Sequence, residues 1–318
     1  MELIRGLHNL RARHRRCVMT IGNYDGMHLG HRAVIEDLQT RAGADGLPVL
    51  VMVFEPTPRE FFAPDKAPPR LSSLREKLED MAACGVDRVL CLRFDRRLAN
   101  MPPWEFIRRI LADGLDARFV AVGDDFRFGR NREGDFEMLK EAGHEYGFTV
   151  HRHESVIRDG ERVSSTRIRQ ALAGGDLAAA ESLLGRPYRM SARVSGGQRL
   201  GRQLGFPTAN LRMRRPPAPR YGVYAVSVRG AAEDVSLPAV ASLGVRPTVD
   251  GKDCLLEVHL LDFKQDLYGR RLDVQFLHFL RDEVHFPSID ALRYQMEHDL
   301  EETRAFFAGQ RSGTATYR

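Results

Sequence analysis

Residues 20–32 read TIGNYDGMHLGHR and bring Gly22, Asn23, Asp25, His28 and His31 together at one junction. A short apolar run, RCVMTIG (16–22), precedes it, and a helix-like pattern begins at Leu29. A strand-to-helix turn of this composition suits an anion. The first free N–H groups of the helix and its dipole face the turn, and glycine lets the backbone approach a phosphate. His28 and His31 are three residues apart and share one helical face. Two such donors could steady the charge that builds while a phosphate is transferred. HLGH alone also fits a surface helix start or half of a metal site; with Gly22, Asn23, Asp25 and Gly26 in register it points to a nucleotide.

Two further clusters carry charge or hydroxyls. AVGDDFRFGRNREGD (121–135) runs a strand into a glycine-bounded loop holding Asp124, Asp125, Arg127 and Arg130, which by itself reads first as an exposed turn. VSSTRIR (163–169) sets Ser164, Ser165 and Thr166 ahead of a helix containing Arg167 and Arg169. One hydroxyl is enough to cap a helix. Three in a row followed by arginine suit a phosphate chain better. HRH (151–153) places histidines at alternate strand positions without a third ligand nearby, so an exposed face is expected rather than a metal site.

These clusters need a scaffold, and the 318 residues exceed the roughly 100–200 of one domain. Strand-like and helix-like segments alternate to residue 185: LPVLVMVF (47–54), SLREKLEDMAAC (73–84), VDRVLCLRF (86–94), PWEFIRRILADG (103–114), ARFVAVG (117–123), EGDFEMLKEAGHEYG (133–147), FTVHRHES (148–155), TRIRQALAGG (166–175) and LAAAESLLG (177–185). Continuous apolar strands between amphipathic helices predict a doubly wound parallel sheet, with the first turn beyond its strand ends. From residue 186 the segments shorten, often alternate, and are separated by Gly and Pro, predicting an antiparallel barrel. SIDALRYQMEHDLEETRAFFAG (288–309) predicts a terminal helix with Ser288 as its N-cap and Gly309 as its stop, and RSGTATYR a mobile tail. Two domains, 1–185 and 186–318, are therefore expected.

Composition narrows the function classes. The net charge is +5, but only 5 of the 48 basic residues are lysine and the arginines are scattered among 43 acids. No aromatic-basic repeat is present, so small anionic substrates are expected and nucleic acid is not. The longest apolar run is far short of the ~20 residues that span a bilayer, and the basic N-terminus lacks an apolar core, so a cytoplasmic chain is expected. Cys17, Cys84, Cys91 and Cys254 form no CxxC pair and read as core or incidental thiols.

Taken in order, TIGNYDGMHLGHR, FEPTPREFF, GDDFRFGRNREGD and VSSTRIRQAL resemble the adenylyltransferase half of the bacterial bifunctional riboflavin kinase/FAD synthetase family. LLGRPY, LGFPTANL, GVYAV, ASLGVRPT, LEVHLLDF and LYGRRLDVQFLHFLRDE resemble its kinase half, so the resemblance covers nearly the whole chain. It implies an α/β fold: an N-terminal Rossmann-like nucleotidyltransferase domain with a parallel sheet, then an antiparallel flavokinase β-barrel with a terminal helix. It also implies the substrates and products riboflavin, FMN and FAD, with ATP consumed in both steps and Mg²⁺ as cofactor.

By resemblance, Gly22, Asn23, Asp25, His28 and His31 bind the adenylylating nucleotide, with His28 and His31 catalytic. Ser164, Thr166 and Arg167 close on its pyrophosphate, while Asp125 and Arg127 serve the nucleotide or the flavin. In the kinase half, SGGQRLGRQLGFPTAN (195–210) stands in for the absent GxxxxGK[ST] loop, giving Gly201, Arg202, Thr208 and Asn210 to ATP, with Thr208 and Asn210 on the metal. PTAN on its own reads as a turn, and Glu257 on its own as an exposed strand residue; the resemblance makes Glu257 the general base. Arg281 and Glu283 are implied to shape the flavin pocket. The chain departs from the family pattern at Tyr24, Thr57, Gly196 and Gln198. Besides the two-activity enzyme, a single-activity enzyme with one degenerate half and a non-catalytic flavin- or RNA-binding regulator are the competing readings. A monomer or weak homo-oligomer is expected.

Overall fold

The computed structural model describes residues 1–196, 205–213, 216–233, 235–248 and 251–313. The chain forms two compact units, one of Met1–Pro68 with Ser72–Ser165, the other of Pro69–Leu71 with Thr166–Arg318.

The first unit is a six-stranded parallel sheet. Its strands are β1 (Glu2–Arg5), β2 (Val18–Ile21), β3 (Val49–Glu55), β4 (Arg88–Arg93), β5 (Phe119–Gly123) and β6 (Thr149–His153), in the order β1-β4-β3-β2-β5-β6. Between them lie α1 (Leu29–Asp45), α2 (Pro58–Phe62), α3 (Leu74–Ala83), α4 (Arg96–Ala99), α5 (Pro103–Phe106, running on as π turns over Ile107–Ala112) and α6 (Phe136–Tyr146). A short hairpin, β7 (Ile157–Arg158) and β8 (Glu161–Arg162), follows. The alternation of β3 shows why the strands are apolar throughout. Leu50 and Met52 enter one core with Ile107, Ile110 and Leu139, whereas Val51 and Val53 enter another with Ile35 and Met81. Both faces are covered, as parallel strands require. The chain leaves β2 for β3 on one side, and β5 pairs on the other. The turn after β2 therefore lies at the reversal point of the strand order, where doubly wound sheets bind ligands.

The second unit is a closed antiparallel barrel of β9 (Tyr188–Ser195), β10 (Ala209–Met213), β11 (Gly222–Ala232), β12 (Val235–Thr248), β13 (Gly251–Leu260) and β14 (Arg271–Arg281), ordered β10-β13-β12-β11-β14-β9. Closure leaves no free edge. Leu211, Leu256 and Leu243 form one fully buried row across β10, β13 and β12. One residue along, Asn210, Glu257, Ser242 and Val223 form a row on the opposite face. This unit also carries α7 (Ser165–Gly174, from Thr166 on), α8 (Leu177–Leu184) against β9 and β14, and α9 (Ile289–Gly313) against β11 and β12.

Ser288 caps α9 as expected, its Oγ accepting from Ala291 N at 3.1 Å. Gly309 does not stop the helix, which runs on to Gly313. An exposed glycine costs a helix about 1 kcal/mol and does not by itself end it. The tail expected to be mobile begins inside this helix, and residues 314–318 lie outside the described residues. The sequence reading also missed β1, which pairs with β4 through only four residues. Replacing Leu256 with Ala should destabilise the barrel by about 2–5 kcal/mol, as cavities in packed cores do; an unchanged urea midpoint would contradict the interior placement.

Candidate functional site

The turn from Gly22 to His28 is held from below by Asp25. Its buried Oδ1 accepts from Ser72 N at 3.0 Å and Ser72 Oγ at 3.3 Å, while Ser72 Oγ accepts from Gly26 N at 3.1 Å. Ser165 Oγ, within the same unit, donates to Asp25 O at 2.9 Å. Tyr24 and Met27 have positive φ (50° and 45°), as has Gly26 (87°), a backbone that persists only where its surroundings fix it. The departure at Tyr24 is satisfied locally: its buried hydroxyl lies 2.7 Å from Thr20 Oγ1.

His28 is the N-cap of α1, its Nδ1 accepting from His31 N at 3.3 Å. A neutral His28 therefore carries its proton on Nε2. The two imidazoles stack with centroids 3.6 Å apart, and Tyr24 packs on His31 at 4.6 Å. A Cβ on Gly30 would meet His28 Cε1 at 3.2 Å, so glycine lets the ring lie over the helix start. Burial, then the charges of His28, Lys77 and Arg162, hold His31 well below the usual imidazole range, and it is neutral at physiological pH. The turn thus presents a neutral His31 stacked on His28 at a helix N-terminus.

The other expected residues of this unit are more dispersed. Asp125 is exposed and pairs with Arg162 at 3.2 Å; Arg127 pairs at 3.2 Å with Asp135, the N-cap of α6. Surface pairs of this kind contribute little to stability. Gly22 and Ser164 are half-buried and Asn23 is exposed. Thr166 and Arg167 follow Ser165 on α7, the first exposed and the second half-buried. Among the described residues no group of His, Cys, Asp and Glu could hold a metal ion, and His151 instead stacks on Phe119. Burial pushes the Cys17 and Cys254 thiols up to about 12, which suits core thiols.

In the barrel unit the structure gathers four of the expected residues. Thr208, Glu257, Arg281 and Glu283 line one cavity of about 290 Å³ between the Asn210–Val223 face and α9, closed by apolar side chains including Val240, Phe286, Leu292 and Met296. Glu257 and His259 line it from β13. A second cavity of about 350 Å³ shares Thr208 and adds Asn210, Phe263 and Tyr268. Asn210 is 7% exposed, and its Oδ1 is buried without a hydrogen-bond partner among the described residues. Arg281 makes a two-pronged pair with Asp299 of α9, at 2.8 and 2.7 Å, so its charge is already matched. Burial and then the charge of Glu257 push the Glu283 carboxyl up. Gly201, Arg202 and Gln198 lie outside the described residues, and Gly196 is exposed.

Several residues escaped the sequence reading. Phe54, Phe61, Phe62 and Phe94 form an edge-to-face cluster with centroids 5.2–5.8 Å apart at the carboxyl ends of β3 and β4, and Phe62 is 68% exposed. An aromatic pair in FEPTPREFF beside a turn was the available signal. Thr57, another departure, forms a capping box with Glu60 that starts α2. Ser72, Lys77 and Asp299 carry no motif; only the fold reveals that they are buried polar groups.

A histidine turn at the reversal point of a parallel sheet in one unit, and in the other a closed barrel whose cavity pairs carboxylates with apolar walls, point to a two-unit nucleotide-dependent transferase. Comparison with known proteins makes this specific. The FAD synthetase family model matches residues 10–167 and the riboflavin kinase family model residues 184–307. The chain is 53% identical over 308 residues to the bifunctional riboflavin kinase/FMN adenylyltransferase of Escherichia coli (strain K12), covering 96% of this chain and 98% of that one. It is 52% identical over 310 residues to the protein of the same name from Pseudomonas fluorescens, covering 97% and 98%. The crystal structure of a macrolide-efflux protein from Streptococcus pneumoniae superposes with TM-score 0.80 at 30% identity, covering 96% of this chain and 99% of that one. The chain belongs to the bifunctional riboflavin kinase/FMN adenylyltransferase family.

Two outcomes follow from the geometry. With His31 neutral in the fold and an unfolded imidazole protonating near pH 6.5, the unfolded chain binds the extra proton below that pH, so stability falls on acidification. His31→Phe should therefore lose less thermal stability than the unaltered chain between about pH 7 and 5; equal losses would contradict a neutral His31. Asp299→Ala strands the Arg281 guanidinium and should cost about 3 kcal/mol in denaturant unfolding, whereas no loss would show that the pair is not a tether.

Proposed function

We propose that the two units divide two consecutive transfers on one flavin: residues 186–318 phosphorylate riboflavin to FMN, and residues 1–185 adenylylate FMN to FAD. The observation that carries this reading is the barrel cavity, where Thr208, Glu257, Arg281 and Glu283 meet although they are spread over 76 positions of sequence. Its apolar walls suit an isoalloxazine ring and its carboxylates a hydroxyl.

In the kinase reaction the riboflavin 5′-oxygen bonds to the γ-phosphorus of ATP as the bond to the β–γ bridging oxygen breaks and ADP leaves. Glu257 receives the hydroxyl proton, making a weak nucleophile competent. ATP occupies the adjoining cavity, with Gly201 and Arg202 of the glycine-rich loop on its phosphates. Thr208 and Asn210 fit magnesium: the orphaned Asn210 Oδ1 and the Thr208 hydroxyl are neutral oxygens, as a metal that also takes phosphate oxygens needs. When bound there, magnesium offsets phosphate charge. Arg281 acts through Asp299 by holding α9 over the flavin.

In the adenylyltransferase reaction an FMN phosphate oxygen bonds to the α-phosphorus of a second ATP, and the bond to the α–β bridging oxygen breaks to release pyrophosphate. The nucleophile is already ionised, so alignment and charge neutralisation suffice. His28, donating through Nε2, and neutral His31 stabilise the phosphates at the N-terminus of α1. Gly22 and Asn23 hold the nucleotide, and Asp25 acts by shaping the turn. Ser164, Thr166 and Arg167 take the pyrophosphate end, with Asp125 and Arg127 at the nucleotide or flavin. The phenylalanine cluster offers the isoalloxazine a stacking face.

The chain acts in the cytoplasm on small molecules rather than nucleic acid, as a monomer or weak homo-oligomer. Cavities near 300 Å³ in the barrel unit support substrates of that size. Among the described residues no helix is long and apolar enough to cross a membrane.

Chromatography of reactions with ATP and magnesium checks the division. Glu257→Gln should slow FMN formation by about 10²–10⁴-fold yet still convert added FMN to FAD. The double variant His28→Ala, His31→Ala should do the reverse. Loss of both products in either folded variant would contradict separate sites.

A further inference from the structure

The charge balance of the barrel cavity bears on which flavin it keeps. Arg281 and Asp299 cancel each other through their two-pronged pair. His259 donates through Nδ1 to Pro207 O at 2.8 Å. Glu257 and Glu283 also line the cavity, and no hydrogen bond or ion pair engages the Glu283 carboxylate among the described residues.

Glu283 is seated rather than dangling. The cavity face of β12 reads Val240, Ser242, Gly244, and a Cβ on Gly244 would lie 2.0 Å from Glu283 Oε1. The missing side chain is thus a notch that receives the carboxylate two register pairs from Glu257, since Ser242 pairs with Glu257 and Gly244 with Leu255. The upward push that Glu257 exerts on the Glu283 carboxyl agrees with this proximity.

Riboflavin is uncharged, whereas a phosphate monoester carries about −1.5 to −2 at pH 7. We propose that Glu283, seated in the Gly244 notch, is a specificity-determining residue that disfavours phosphorylated flavin in the barrel cavity, so that riboflavin enters and FMN leaves. The proposal rests on the assignment of riboflavin phosphorylation to this cavity. It deepens that assignment by making the cavity select on charge.

The test is FMN inhibition of riboflavin phosphorylation, measured with the full-length chain from initial rates at varied riboflavin, which reads the kinase site irrespective of FMN bound elsewhere. In Glu283→Gln the FMN inhibition constant should fall roughly three- to tenfold, as expected for removing one partly screened like charge, and should fall further than any change in the riboflavin KM. Glu283→Asp, which keeps the charge, should stay near the unaltered chain. Gly244→Ala, which displaces the flexible carboxylate from its notch, should move the constant in the same direction as Glu283→Gln. An unchanged FMN constant in Glu283→Gln, or a riboflavin KM that changes in parallel with it, would overturn the proposal while leaving the kinase assignment standing. Failure of the unaltered chain to phosphorylate riboflavin would instead remove that assignment and the proposal with it.

Discussion

A buried carboxylate decides the shape of the nucleotide turn. Asp25 is buried, so its carboxylate oxygens are met by protein donors. Ser72 supplies two of them and also receives the Gly26 amide. That closure holds a turn with three positive φ values, which in turn sets His28 as the cap of α1 and stacks His31 against it. Without the Asp25–Ser72 contact the same residues would form an ordinary loop, and the histidines would have no common direction.

The barrel solves the same problem with an ion pair. Its interior is filled by apolar rows, so a ligand has to be held on the opposite face, and α9 makes that face a cavity. The pair of Arg281 and Asp299 fixes α9 in place, and Gln295 Nε2 adds a third hydrogen bond to Asp299 at 2.9 Å. A charge spent on the fold is unavailable for the ligand. The cavity consequently has apolar walls beside the carboxylates of Glu257 and Glu283.

Much of this was legible in the sequence because the decisive patterns are local. TIGNYDGMHLGHR specifies strand, turn and helix within 13 residues, and β2 and α1 fall where it puts them. Apolar runs separated by amphipathic helices gave the parallel sheet, and short alternating segments gave the barrel. What was not legible depends on distant pairing. β1 is too short to show a period, and the π turns after Phe106 look like ordinary helix in sequence. Ser72 and Asp299 matter only through partners 47 and 18 positions away. Arg281 shows the limit well: the resemblance implied a place for it at a flavin pocket, and it lines the barrel cavity, but the sequence could not show that Asp299 already claims its charge.

The central claim is that two chemically distinct transfers occur on one flavin, each using a different phosphorus of ATP. Following radioactive phosphorus tests it most directly. The chain is incubated with riboflavin, magnesium and ATP labelled either at the α- or at the γ-phosphorus, and FMN and FAD are separated. FMN should carry label only from γ-labelled ATP, whereas FAD should carry label from both. Label from α-labelled ATP in FMN, or FAD free of α label, would contradict the account.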